Sequence, residues 1–161
     1  MITMEKLTLY METTIPSYLL AEPSRDLVAS ARQEVTRTWW RRDCARFQIY
    51  ISDNVIQEAE QGDPRAAKKR LAFLEPFSVL EATPVVLRLT KLYLDKRIVP
   101  LEKPGDAAHL AFASAYCLRF LCTWNFKHLA NAFSIFRLRE LNEKHALFTP
   151  QVCTPEELMG E

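Results

Sequence analysis

Glycine is scarce in this chain. There are three in 161 residues, Gly62, Gly105 and Gly160, and no two are near each other. A dinucleotide fingerprint, a phosphate-binding loop and a Gly-x-Ser-x-Gly nucleophile elbow each need at least two closely spaced glycines, so all three are excluded. Nor is there a charge excess: 21 Lys and Arg against 20 Asp and Glu leave +1. Bulk charge therefore announces no nucleic-acid partner, and only a local basic patch can serve one. Cys44, Cys117, Cys122 and Cys153 form no Cys-x-x-Cys pair and no tight cluster with the three histidines. A structural zinc site is unsupported, and reduced, buried thiols are expected. Long apolar runs are missing too; none approaches the roughly 18 residues that a spanning helix needs. Glu5, Lys6 and Glu12 break any secretory apolar core near the start. The expectation is a soluble, cytoplasmic protein with no membrane partner.

What remains is an ordinary globular balance, 48% hydrophobic and 25% charged, in a length that suits one domain over residues 1–161. Residues 7–11 read as a strand that ends on Glu12-Thr13-Thr14 before Pro16. Leu27, Ala31, Val35 and Trp39 recur at helical spacing and predict a helix over 24–46 capped by Ser24. A strand at 48–51 runs into Ser52-Asp53, a cap for a helix carrying Val55, Ile56 and Ala59. Asp63-Pro64 and Thr83-Pro84 each pair a cap residue with a first-turn proline, and they bracket a brief strand at 77–80. A helix from Lys103 through Cys117, a strand at 119–123, a helix at 129–144 and a strand at 148–153 follow. Thr154-Pro155-Glu156-Glu157 then reads as a capping box for a last short helix. Alternating strands and helices imply an α/β fold with a mostly parallel sheet covered on both faces.

In such sheets ligands bind beyond the carboxyl ends of the strands, where the chain order reverses. That rule selects Glu12, the 52–60 segment, Asn125 and, if its helix starts at the same edge, Asp106. Three carboxylates and an amide gathered there would repel one another without a cation, and all-oxygen ligands suit Mg²⁺ or Mn²⁺. Each residue also has a plainer reading. Asp106 could cap its helix, Glu12 could be an exposed loop acid, and Asn125 a turn residue. Periodicity does not choose between Glu58 and Glu60.

Leu9-Tyr10-Met11-Glu12-Thr13-Thr14-Ile15-Pro16-Ser17-Tyr18-Leu19 resembles the opening motif of PIN domains, in the bacterial VapC-like branch that begins with Glu-Thr-Thr. Asp106-Ala107-Ala108-His109-Leu110-Ala111 resembles that family's third acidic motif, and Cys122-Thr123-Trp124-Asn125-Phe126-Lys127-His128 its Thr-Trp-Asp/Asn segment. Val55-Ile56-Gln57-Glu58 corresponds to the second motif and favours Glu58 over Glu60. The resemblance covers residues 7–157 and implies a three-layer α/β/α fold with four to five central strands. It further implies a metal-dependent endoribonuclease, often the toxin of a toxin–antitoxin pair, with RNA as substrate, an antitoxin as partner and a homodimer as the assembly. Two departures stand out: Glu12 replaces the usual first aspartate, and Asn125 replaces the fourth acid.

On this reading Glu12, Glu58 and Asp106 hold Mg²⁺ or Mn²⁺, Asn125 positions water or substrate, and Thr13 or Thr14 contacts metal-bound water or a phosphate oxygen. His109, on the face of Asp106, is either a satisfied structural histidine or a supporting group, and His128 an exposed turn residue. Arg37, Arg41, Arg42 and Arg46 around Trp39-Trp40, and Lys68-Lys69-Arg70, are either RNA-binding clusters or solvated helix faces. Trp39 belongs to the core, whereas Trp40 is free to stack on a base or meet a protein. The alternative is a catalytically weakened PIN domain that binds RNA or protein, on the strength of Asn125 and the near-neutral charge. An unrelated α/β phosphohydrolase is disfavoured because no Asp-x-Asp pair follows the first strand.

Overall fold

A computed structural model describes residues 5–160. Five parallel strands form one sheet: β1 (Leu7–Met11), β2 (Phe47–Ser52), β3 (Ser78–Leu80), β4 (Phe120–Cys122) and β5 (Gln151–Cys153). Their spatial order is β3-β2-β1-β4-β5. Tyr10 lies between Tyr50 and Leu121, which fixes the register of the three central strands. Leu9, Tyr10, Met11, Ile51, Leu121 and Cys122 are fully buried, as strands covered on both faces require. Burying each such apolar side chain contributes about 1.5–3 kcal/mol, the main stabilisation of the sheet.

Seven helices cover it: α1 (Thr14–Leu20), α2 (Leu27–Asp43), α3 (Asp53–Ala59), α4 (Pro64–Leu74), α5 (Pro84–Asp95), α6 (Pro104–Ala115) and α7 (Ala132–Lys144). The chain steps outward from β1 to β2 and β3, then returns past β1 to β4 and β5. Right-handed crossovers therefore place α1–α4 on one face and α5–α7 on the other, giving three layers. The reversal falls between β1 and β4. No helix among the described residues is long and apolar enough to cross a membrane.

Ser52, Asp63 and Thr83 cap α3, α4 and α5 as the sequence predicts. Elsewhere the boundaries shift for local reasons. Asp26, not Ser24, caps α2, because the Ser24 hydroxyl takes the Asp26 amide while the Asp26 carboxylate accepts from Ala29. The helix ends at Asp43 and a 3₁₀ turn, Cys44–Arg46, leads into β2. α1 was not foreseen: Pro16 sits in its first turn, where a missing N–H leaves no hydrogen bond unmade. α7 begins at Ala132 because Asn131 accepts from the Phe133 and Ser134 amides. The Thr154–Glu157 box forms reciprocally, but around a 3₁₀ turn.

Trp39 is buried, as expected. Trp40 is half-buried, with its ring 5.1 Å from Phe73 and 6.0 Å from Phe77. The two basic clusters are largely held by their own chain. Arg37 donates to Ala21 O and pairs with Glu34, and Arg42 donates to Gly160 O. Arg46 pairs with Asp43, Lys69 with Glu22, and Arg70 donates to Ala59 O and Gln61 O.

Candidate metal centre

Glu12 follows β1 directly, and its amide extends the ladder to Cys122 O. Its side chain is buried among hydroxyls. Oε2 accepts from the Thr14 amide at 3.0 Å, from Thr14 Oγ1, and from Thr123 Oγ1 at 2.7 Å. Thr14 Oγ1 in turn accepts from the Trp124 amide. Three donors thus fix one carboxylate oxygen, and Oε1 is turned toward the crevice, 3.9 Å from His109 Nε2. Burial raises the Glu12 pKa, and the charge of His109 with the Thr14 and Thr123 hydrogen bonds offsets only part of that rise.

Glu58 reaches the same place from α3. Its Oε1 accepts from His109 Nε2 at 2.8 Å and from Asn54 Nδ2 at 3.2 Å. Burial opposes its ionisation, but the His109 bond and charge outweigh that and hold its pKa below the usual range. Gly105 makes room for this carboxylate: a Cβ there would stand 3.0 Å from Glu58 Oε1.

His109, on α6, is wholly buried. Its Nδ1 meets the Tyr10 hydroxyl at 2.7 Å, which also meets Ser52 Oγ at 2.7 Å. Burial lowers its pKa, yet the Glu58 hydrogen bond and the charges of Glu12, Glu58 and Asp106 raise it overall. One ligand atom from each of Glu12, Glu58 and His109 lies within 4.8 Å of the others.

Asp106 stands beside this trio, in the first turn of α6. It is not the cap, a position held by Lys103. Oδ1 accepts from Asn125 Nδ2 at 3.3 Å, and Oδ2 is buried with no partner. Burial raises its pKa, partly offset by the charges of His109 and His128. Asn125 is fully engaged: its Oδ1 accepts from the His128 amide at 3.0 Å. Thr13 Oγ1 is buried beside Glu58, where it helps to lower the Glu58 pKa although no hydrogen bond of good geometry joins them, whereas the Thr14 hydroxyl is committed to Glu12 and Trp124.

The arrangement fits a divalent cation on two grounds. Asp106 Oδ2 is a buried acceptor with nothing to accept, and the Glu12 carboxylate keeps one oxygen clear of any hydrogen bond. Such groups are costly unless a ligand satisfies them. Sequence reasoning selected Glu12, Glu58, Asp106 and Asn125 but missed Tyr10, Ser52, Asn54 and Thr123 as their supports. Asn54 was within reach of a signal, being four residues before Glu58 on one helix. Tyr10 carried none, since a tyrosine in a strand reads as core.

The fold is PIN-like: three layers about a parallel sheet, with acids gathered at the carboxyl edge where the strand order reverses. It is similar to a chain of VapBC2 from Rickettsia felis, solved bound to a DNA fragment from their promoter. The TM-score is 0.52 and the identity 13%, over 92% of this chain and 98% of that one. No protein-family model and no curated protein sequence matches the chain.

Proposed function

We propose that this protein is a metal-dependent endoribonuclease, the toxin of a toxin–antitoxin pair. The observation that carries the reading is the cluster of Glu12, Glu58 and His109, from three separate elements, with Asp106 near enough to feel the charges of His109 and Glu58. Glu12, Glu58 and Asp106 would hold Mg²⁺ or Mn²⁺. The ion would supply Lewis acidity, lowering the pKa of a water and neutralising charge on a phosphodiester.

The chain's own residues do the rest. Thr14 and Thr123 lock Glu12 so that Oε1 faces the crevice. His109, held by Tyr10, and Asn54 together orient Glu58. Asn125 acts on Asp106 by donating to Oδ1, which leaves Oδ2 free; in this scheme it is a positioning residue rather than a ligand. The Thr14 hydroxyl is committed to Glu12 and Trp124, which leaves Thr13, beside Glu58, as the threonine that would donate to a substrate oxygen. One of the three carboxylates would take a proton from an attacking water. The fold shared with VapBC2 supports an antitoxin as partner, and a homodimer completes the proposed assembly.

Labelled single-stranded RNA incubated with pure protein tests this. Cleavage should require Mn²⁺ or Mg²⁺, stop with chelator, and fall at least about 100-fold in Glu12→Ala and Asp106→Ala, which should remain folded. Metal-independent cleavage, or full activity in both variants, would contradict it. The second reading, a weakened domain that binds RNA or protein without cutting, draws on His109 lying 2.8 Å from Glu58 and on Asn125 standing in place of an acid. RNA binding with no cleavage at any metal concentration would favour it.

A further inference from the structure

Past Asp106 the surface changes sign. A cavity of about 500 Å³ opens between the end of α5 and the start of α7, lined by Arg97, Lys127, His128, Phe133 and Arg137, with no acidic residue in its wall. Arg97, Lys127 and Arg137 are exposed, and none has a salt-bridge partner among the described residues. Arg137 is steadied by donating to Ile98 O at 3.4 Å. Phe133, in the first turn of α7, is 76% exposed. One residue of its wall, His128, links the cavity to Asp106: the His128 amide donates to Asn125, Asn125 donates to Asp106, and the charge of His128 reaches Asp106. The arginine and lysine clusters picked out in the sequence lie elsewhere and are mostly tied down. Here the cations are unpaired.

Unpaired cations beside a bare aromatic ring match single-stranded nucleic acid, in which phosphates alternate with bases that stack. We infer that this cavity is a substrate subsite that takes a backbone phosphate and a base of single-stranded RNA, next to the phosphodiester held at the carboxylates. Arg97, Lys127 and Arg137 bind the phosphate, and Phe133 stacks on the base. The inference rests on the proposed ribonuclease function for its choice of RNA, and its test separates the two.

Binding of a fluorescein-labelled 12-nucleotide RNA is measured by anisotropy in EDTA, where no cleavage occurs, over a range of KCl. The Arg97→Ala/Arg137→Ala double variant should lose about tenfold or more in affinity, and its log–log salt slope should be shallower by up to about 0.7, the share of one single-strand phosphate. Lys127→Glu, a charge reversal at an exposed site, should weaken binding as well, and Phe133→Ala should weaken it with no change in salt slope. Wild-type affinity and slope in all these variants would overturn the subsite. So would variants that keep RNA affinity but change the sedimentation of the protein, which would make the cavity a protein contact. If the variants lose RNA binding while the wild type never cleaves, the subsite stands and the nuclease reading falls. If they bind and cleave like wild type, the reverse holds.

Discussion

His109 occupies a place between two carboxylates that a metal site would give to a cation. Its pKa is raised in the folded protein, so the native state holds its proton more tightly than the unfolded chain does. The stability this contributes is fully present below the unfolded value of about 6.5 and is lost as pH rises through the folded value. In chelator, the melting temperature should therefore fall as pH is raised from about 6 to about 9. His109→Gln should flatten that dependence; an unchanged slope would place the titration elsewhere. Gly105 offers a second test at this scale. Ala there gains about 0.5–1 kcal/mol of helix propensity, yet its Cβ would press on Glu58 Oε1. Gly105→Ala should melt no lower than wild type while binding Mn²⁺ more weakly by calorimetry; unaltered affinity would show that the carboxylate moves aside freely.

The scarcity of glycine becomes visible at the ends of the helices. α5, α6 and α7 each finish with a residue in the left-handed region, and none of the three is glycine: Arg97, Cys117 and Ala146, at φ 56°, 53° and 53°. Each end makes both hydrogen bonds of a Schellman motif, as when Ala146 N–H donates to Glu143 O and Leu147 N–H to Asn142 O. A Cβ is strained in that conformation. Ala146→Gly should therefore stabilise the protein by about 0.5–1 kcal/mol, a rise of about 2–4 °C per kcal/mol in a chain of this size. A lower melting temperature would contradict the strain. The same scale shows what could be read from sequence. Ser52, Asp63 and Thr83 were legible as caps because capping is a contest among three or four neighbouring residues. Ser24 against Asp26 was not, since both are competent caps two residues apart and only their mutual hydrogen bond decides. α1 was hidden because a proline ends a strand and opens a helix with equal ease.

Across the whole molecule, the return of the chain past β1 brings residues separated by about a hundred positions to one edge. That convergence was legible, because alternating strands and helices imply a parallel sheet and a parallel sheet has a switch point. The partners of each acid were not, since they depend on how α3 and α6 pack. Asn125 illustrates the difference: its place at the edge follows from topology, while its grip on Asp106 and His128 depends on how α6 packs against the β4 loop. The two basic clusters stayed open between RNA binding and a solvated face for a related reason, because local charge counts ignore the carbonyls and acids that later pair with Arg37, Arg46 and Arg70.

The account as a whole depends on a divalent ion lying among Glu12, Glu58 and Asp106. Crystals soaked in MnCl₂ and measured at the manganese absorption edge test this directly. One anomalous peak within coordination distance of Glu12 Oε1, a Glu58 oxygen and Asp106 Oδ2 is the predicted result. A crevice with no peak, His109 still bonded to Glu58 and Asp106 Oδ2 still unpartnered would contradict it.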